Sequence, residues 1–175
     1  MSKDRVLAIF MPGKKLCASS CNKEQTMTLR VLLAIASPVF RQTMRRITDL
    51  AVDLLPWPVE IDEAADSRQL EEKLSVSPTT LLLLDWEWGR EEVIALLTHL
   101  FERNPFMRVV VLLPPAAPKA YRTALWRAGA CASTPRDRLD EEWLVTILCL
   151  VRRAMEREGL LSPLSEQGSG IRLPG

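Results

Sequence analysis

From residue 29 onward the apolar positions fall into two patterns: short continuous runs, and longer stretches with apolar residues three and four apart. Leu29–Ile35 is such a run, with no helix start or stop inside it, and reads as a buried strand. Ser37-Pro38 then supplies a hydroxyl cap and a proline at the first helical position. The helix that starts there runs through Val39, Phe40, Met44, Ile47, Leu50, Ala51 and Leu54, and Pro56-Trp57-Pro58 stops it. Val59–Ala64 alternates apolar and polar, as a half-exposed strand does, and Ser67 caps a short helix ending near Leu74. Thr79–Leu84 is continuous and apolar, the pattern of a central strand covered on both faces. Glu91–Asn104 is an amphipathic helix, Arg108–Leu113 a fourth strand, and Lys119–Arg127 a helix closed by Ala128-Gly129-Ala130. A short strand follows at Cys131–Ser133, and Asp140–Glu158 is the long final helix.

Five strands alternating with five helices across short connections predict an α/β fold, a three-layer α/β/α sandwich around a five-stranded parallel sheet. Functional groups in such folds lie outside the carboxyl ends of the strands. That rule directs attention to Ile35-Ala36, Asp85, Pro114-Pro115 and Thr134–Arg136. The pattern divides the chain into a flexible basic leader at 1–26, a domain at 27–158 and a flexible tail at 159–175. The leader carries Lys3, Arg5, Lys14, Lys15 and Lys23 against Asp4 and Glu24, and Met27 offers an alternative start for the domain.

Composition narrows the function classes. The chain has 175 residues, 47% of them hydrophobic and 26% charged, enough to bury one core without disulfides or metals. Runs such as Leu81–Leu84 and Val109–Leu113 fall well short of the roughly 18–20 apolar residues of a membrane span. A net charge of +1 argues against a dedicated nucleic-acid binder. Seven glycines supply neither a Walker loop nor a G-x-G-x-x-G turn, and Gly168-Ser169-Gly170 lies in a polar tail with no strand before it. The single histidine, His99, sits in an apolar helical stretch and reads as a half-buried helix residue rather than a phosphoacceptor or base; no nucleophile elbow accompanies it. Cys17, Cys21, Cys131 and Cys149 contain no C-x-x-C pair, so no zinc site is expected. Cys131 and Cys149 read as small hydrophobes, and free thiols in a cytoplasmic protein are the expectation. No metal site, cofactor, membrane span or catalytic constellation is expected.

The strand ends carry a resemblance. Ala34-Ile35-Ala36-Ser37-Pro38-Val39-Phe40-Arg41 is similar to the first strand-to-helix turn, V-D-D-S-P-x-x-R, of bacterial response-regulator receiver domains, the CheY-like family. Glu63-Ala64-Ala65-Asp66 resembles the E-A-x-D/N-G ending of that family's second strand. Leu81–Asp85 is like its third strand and phosphoacceptor aspartate, and Arg127-Ala128-Gly129-Ala130 is like the turn before its fifth strand. The resemblance covers about residues 29–158 and implies a flavodoxin-like strand order, 2-1-3-4-5. It also makes Asp85 the phosphoacceptor equivalent.

The departures from that pattern lie in the switch chemistry. The family's magnesium-binding acidic pair falls on Ile35 and Ala36, whose side chains offer no oxygen to a hard cation. Its hydroxyl residue after the fourth strand falls on Pro114, and its lysine after the fifth falls near Arg136. The resemblance therefore implies an atypical, non-enzymatic receiver that has lost aspartyl phosphorylation and acts by protein–protein interaction in signal transduction. A sensor kinase or an output protein is the implied partner, with no direct nucleic-acid contact. Asp85 without those partners reads as an exposed strand-end aspartate, capping the next turn or pairing with Arg136. Trp86 and Trp88 flank its loop, either filling the space over Ile35 and Ala36 or meeting a partner. The last helix is apolar nearly all round at Trp143–Val151. Leu160 and Leu161 folding back account for that surplus; a partner or homodimer face with Trp126, Trp143, Ile147 and Leu150 accounts for it equally. Two alternatives stand beside this reading: a phosphorylatable single-domain regulator using Asp85 in a phosphorelay, and a small flavodoxin-like ligand-binding protein.

Overall fold

The computed structural model describes residues 28–76, 79–89 and 92–161. The expected leader and most of the expected tail, with Cys17, Cys21, Gly168 and Gly170, lie outside them. Strands β1 (Leu29–Ala34), β2 (Val59–Ala64), β3 (Leu81–Asp85), β4 (Arg108–Leu113) and β5 (Ala132–Pro135) alternate with five helices. These are α1 (Pro38–Asp53), α2 (Ser67–Val76), α3 (Val93–Arg103), α4 (Lys119–Arg127) and α5 (Glu141–Arg157). All the strand pairs are parallel and the order is β2-β1-β3-β4-β5, as expected.

Because side chains alternate across a strand, each central strand feeds two separate apolar layers. Leu32, Leu82, Leu84, Val109, Val111 and Leu113 pack with Leu70 of α2, Val93, Leu97 and Leu100 of α3, and Leu125 of α4. Their neighbours Val31, Leu33, Ile35, Leu81, Leu83, Val110 and Leu112 pack on the other face with Met44 and Ala51 of α1 and Leu144, Leu148 and Met155 of α5. All five residues of β3 are fully buried, and its first four, Leu81–Leu84, read as an unbroken apolar run for that reason.

The helix starts follow the local chemistry. Ser37 accepts a hydrogen bond from the Phe40 amide at 3.4 Å, and Asp140 accepts one from the Trp143 amide at 2.7 Å. At α2 the cap is Asp66, which accepts from the Gln69 amide at 2.9 Å, rather than Ser67, which is the first helical residue. The sheet elements shift by one or two residues: β3 ends on Asp85, and β5 runs to Pro135, whose missing amide hydrogen an edge strand tolerates. At the end of α5 the Leu160 amide bonds the Met155 carbonyl, and Leu161 is buried against the α1–α5 layer with Leu160 beside it. Part of the apolar surplus of α5 is covered in this way. Among the described residues no helix is long and apolar enough to cross a membrane.

Candidate functional site

The register sets the carboxyl ends of β1, β3 and β4 side by side: Ala34 lies opposite Leu84, and Asp85 opposite Leu112. Just beyond them come Ile35, Ala36 and Pro114, while Pro135, opposite Leu113, brings Arg136 to the same end. The five positions singled out in the sequence, Ile35, Ala36, Asp85, Pro114 and Arg136, thus share one end of the sheet. Only two of them bond each other.

Asp85 is the last residue of β3 and is 0% exposed, against the expectation of an exposed strand-end aspartate. Its position explains this. It follows Leu81 and Leu83 in side-chain alternation and so points to the α1–α5 face, under the start of α1. One carboxylate oxygen is ion-paired with the Arg136 guanidinium and accepts a 3.4 Å bond from the Glu87 amide, capping the short turn Trp86–Trp88. Among the described residues the other oxygen has no hydrogen-bond partner. Arg136 reaches across β4 to make this pair. It also bonds Glu87 at 2.9 Å and lies over the Phe40 ring, 4.7 Å from its centroid. The turn-capping and Arg136 pairing read from the sequence both occur.

Burial is the strongest influence on the Asp85 carboxyl and pushes its pKa above the ordinary value, although Arg136 pulls it down. Burial acts on Arg136 too, but its bonds to Asp85 and Glu87 outweigh that, and its pKa is raised. The two directions agree physically: the carboxylate is sealed from water, whereas the guanidinium keeps 18% exposure and a second anion.

Whether this site suits a magnesium ion is decided by its donors. A small hard dication needs several oxygens in near-octahedral array. Ile35 presents a fully buried hydrocarbon side chain, and the backbone oxygens of Ile35 and Ala36 accept from the Arg41 guanidinium at 2.7 and 3.4 Å. The carboxylates of Asp85 and Glu87 are both held by Arg136. Among the described residues no three His, Cys, Asp or Glu side chains gather in a metal-holding group. The residues do not fit the ion.

The tryptophans behave differently from expectation. Trp86 is buried in the α2–α3–α4 layer, stacked on Tyr121 of α4 with centroids 4.8 Å apart, whereas Ile35 belongs to the opposite layer. Trp86 therefore does not fill the space over Ile35; consecutive residues of an extended segment face opposite sides of the sheet. Trp88 packs against the same layer as Trp86. What meets Asp85 is Arg136, which itself lies over Phe40. Phe40, Arg41 and Glu87 are the residues whose part in the site reading the sequence missed; for the first two the Ser37-Pro38 helix start beside them was the available signal.

The candidate interface residues also separate. Trp126 is 74% exposed on α4, while Trp143 is half-buried in the α1–α5 layer. Ile147 and Leu150 line an open groove of about 250 Å³ at the β5 edge with Cys131, Ala132 and Arg108. Cys131 is exposed there, not buried as its apolar neighbours suggest, though its Sγ contacts the Val109 carbonyl oxygen at 3.1 Å. Cys149 is half-buried. His99 is exposed rather than half-buried, on the flank of α3 beside a surface cavity that Trp88 and Glu92 also line.

No protein-family model and no curated protein matches the chain. Solved structures do match. A CheY-like response-regulator receiver domain protein from Methanospirillum hungatei JF-1 superposes with a TM-score of 0.61 at 17% identity, over 75% of this chain and 99% of that one. A response regulator from Thermotoga maritima gives 0.60 at 18% identity, over 71% and 98%. The receiver domain of a DNA-binding response regulator from Colwellia psychrerythraea 34H gives 0.61 at 10% identity, over 71% and 98%. Residues 28–161 have the fold of a response-regulator receiver domain.

Proposed function

We propose that the protein is an atypical, non-enzymatic receiver that works in the cytoplasm by binding a protein partner in a signalling pathway, without aspartyl phosphorylation. The observation that carries this reading is the state of Asp85: fully buried, one oxygen ion-paired to Arg136, and, among the described residues, no acidic group gathered beside it to hold a divalent cation. Phosphoryl transfer to an aspartate depends on positioning and on neutralising charge at the phosphoryl oxygens. Among the described residues the cation at Asp85 is a guanidinium already committed to two carboxylates, and Ile35 and Pro114 offer neither an anionic ligand nor a hydroxyl. The Asp85–Arg136–Glu87 cluster instead ties the end of β3 to the end of β5. The exposed apolar positions Trp126 and Leu150, with Ile147, are where a partner or a second copy of the chain would meet it.

Incubation with acetyl phosphate and magnesium, followed by intact-mass and peptide mapping, tests the reading. No mass gain at Asp85 is expected, and no change in tryptophan fluorescence on magnesium titration, although Trp86 adjoins Asp85. Phosphorylation of Asp85 in the wild type and its absence in Asp85→Asn would overturn the proposal in favour of a phosphorelay protein.

A further inference from the structure

The two edges of the sheet are unlike. β5 is four residues long and ends on Pro135, a poor template for a further strand. β2, at the other edge, is six residues long and contains no proline. The Ala64 carbonyl accepts the Ile35 amide, so Ala64 faces β1. Backbone groups alternate sides along a strand, and those of Val59, Ile61 and Glu63 therefore point away from the sheet. Among the described residues nothing pairs with that outer side. Its side chains are incompletely covered as well. Val59 and Ile61 are half-buried at the margin of the α1–α5 layer, while Glu60 is exposed and forms no ion pair among the described residues. Asp62 and Glu63 draw their cations from β1, α1 and α2, so β2 itself carries three carboxylates and no base.

We infer that Val6–Met11 of this same chain, outside the described residues, adds to β2 as a further strand and closes the edge. This goes beyond the reading above and does not depend on it. Val6-Leu7-Ala8-Ile9-Phe10-Met11 is the apolar run of the basic stretch, as long as β2 and ended by Pro12-Gly13. A short apolar run bounded by such a pair has the pattern of a strand, and Val, Ile and Phe favour one. Charge selects the edge. Residues 1–27 hold five bases against two acids, with Arg5 directly before the run and Lys14-Lys15 just after it. A second copy of β2 in the same slot would instead set Glu60, Asp62 and Glu63 against like charges. Reach is sufficient. Leu29 of β1 lies opposite Val59 of β2, so the chain enters the sheet one strand away from the open edge. The slot beyond β2 is about 10 Å from β1 at the usual strand spacing. Residues 12–28 connect the run to β1, longer than the dozen or so that a parallel crossover requires. The added strand gives the outward backbone groups of β2 their partners and takes Val59 and Ile61 out of water. It also removes a template on which other chains could pair.

Hydrogen–deuterium exchange of the full chain, read by mass spectrometry, tests this, because an amide exchanges slowly only while it is bonded. The probe is the peptide covering residues 59–64; the peptide covering 81–85, in the middle of the sheet, is the control. Replacing Ile9→Asp and Phe10→Asp together puts a charge on either face of the added strand. Exchange at 59–64 is expected to quicken about tenfold or more in that variant, with 81–85 unchanged. Lys14→Glu with Lys15→Glu, and separately 300 mM salt, are expected to quicken it about threefold. If the aspartate variant also loses protection at 81–85 it has lost its fold, and the charge variant carries the comparison. Equal exchange at 59–64 in the wild type and a folded aspartate variant would overturn the inference, as would indifference to both charge reversal and salt. Sedimentation at about 5 and 100 μM separates the remaining source of a strand. A monomer with the same protection at both concentrations is expected, and protection that appears only with a dimer assigns the strand to a second copy and refutes the proposal.

Discussion

Arg136→Met isolates the energetics of the buried cluster. Methionine keeps most of the apolar stem that lies against Phe40 but leaves the Asp85 carboxylate, 0% exposed, with only the 3.4 Å bond from the Glu87 amide. Stranding one partner of a buried ion pair typically costs about 3–5 kcal/mol. Asp85 has an escape, which is to take up a proton. Holding a proton at pH 7 on a group that ordinarily loses it near 3.8 costs about 4 kcal/mol, since each pH unit is worth about 1.4 kcal/mol. At pH 5 the same protonation costs only about 1.6 kcal/mol. The variant is therefore expected to lose about 3–4 kcal/mol of unfolding free energy at pH 7 and under about 2 kcal/mol at pH 5. Urea unfolding followed by tryptophan fluorescence at both pH values measures this, and Asp85→Asn added to Arg136→Met is expected to recover most of the loss at pH 7. A loss below about 1 kcal/mol at pH 7, or one that is equal at both pH values, would refute the claim that Arg136 neutralises a sealed carboxylate.

Asp85→Asn alone leaves Arg136 paired with Glu87 at 2.9 Å, so a change within about 1 kcal/mol is expected at pH 7. Its pH dependence has a definite sign. Because the folded-state pKa of Asp85 is raised, the wild type gains stability from this group as pH falls through that value, and Asp85→Asn does not. Wild type should therefore gain on the variant between pH 7 and 4.5; a constant gap refutes the raised value. Asp62 works the other way. Burial opposes its ionisation, but bonds from Lys73 and Arg30 hold its pKa below 3.8, so its contribution is present above that pH and lost below it. Gly129→Ala should cost about 1–3 kcal/mol, since its φ is +99° and an added Cβ would lie 2.8 Å from Cε2 of Phe101; an unchanged melting temperature would contradict that. Leu83→Ala, in the fully buried centre of β3, should cost about 2–5 kcal/mol in the same unfolding assay, against less than about 0.5 for Trp126→Ala.

Much of the architecture was legible in the residues. The bounds of β2, β4 and α4 match the pattern, because strand and helix periods arise from local sterics that any stretch of chain obeys. Ser37-Pro38 marked the start of α1 for the same reason: a hydroxyl cap and a proline at the first turn act within four residues. The carboxyl ends of the strands were also recognisable as the place where side chains converge. The errors cluster where burial decides. Asp85 was expected to be exposed because aspartate at a strand end normally is, and His99 half-buried because its sequence neighbours are apolar.

By itself the sequence determined the order of elements, the two apolar layers and the absence of an acidic pair at Ile35 and Ala36. Only the tertiary structure decided what stands in place of that pair. Arg136 reaches Asp85 across β4 because parallel register places their strand ends together, and register between distant segments leaves no local trace. The same packing sends Trp86 to the face opposite Ile35, half-buries Trp143 and leaves Trp126 in water. Sequence period assigns a residue to a face of its own element. Which faces meet, and which remain open, follows from how the elements close around one another.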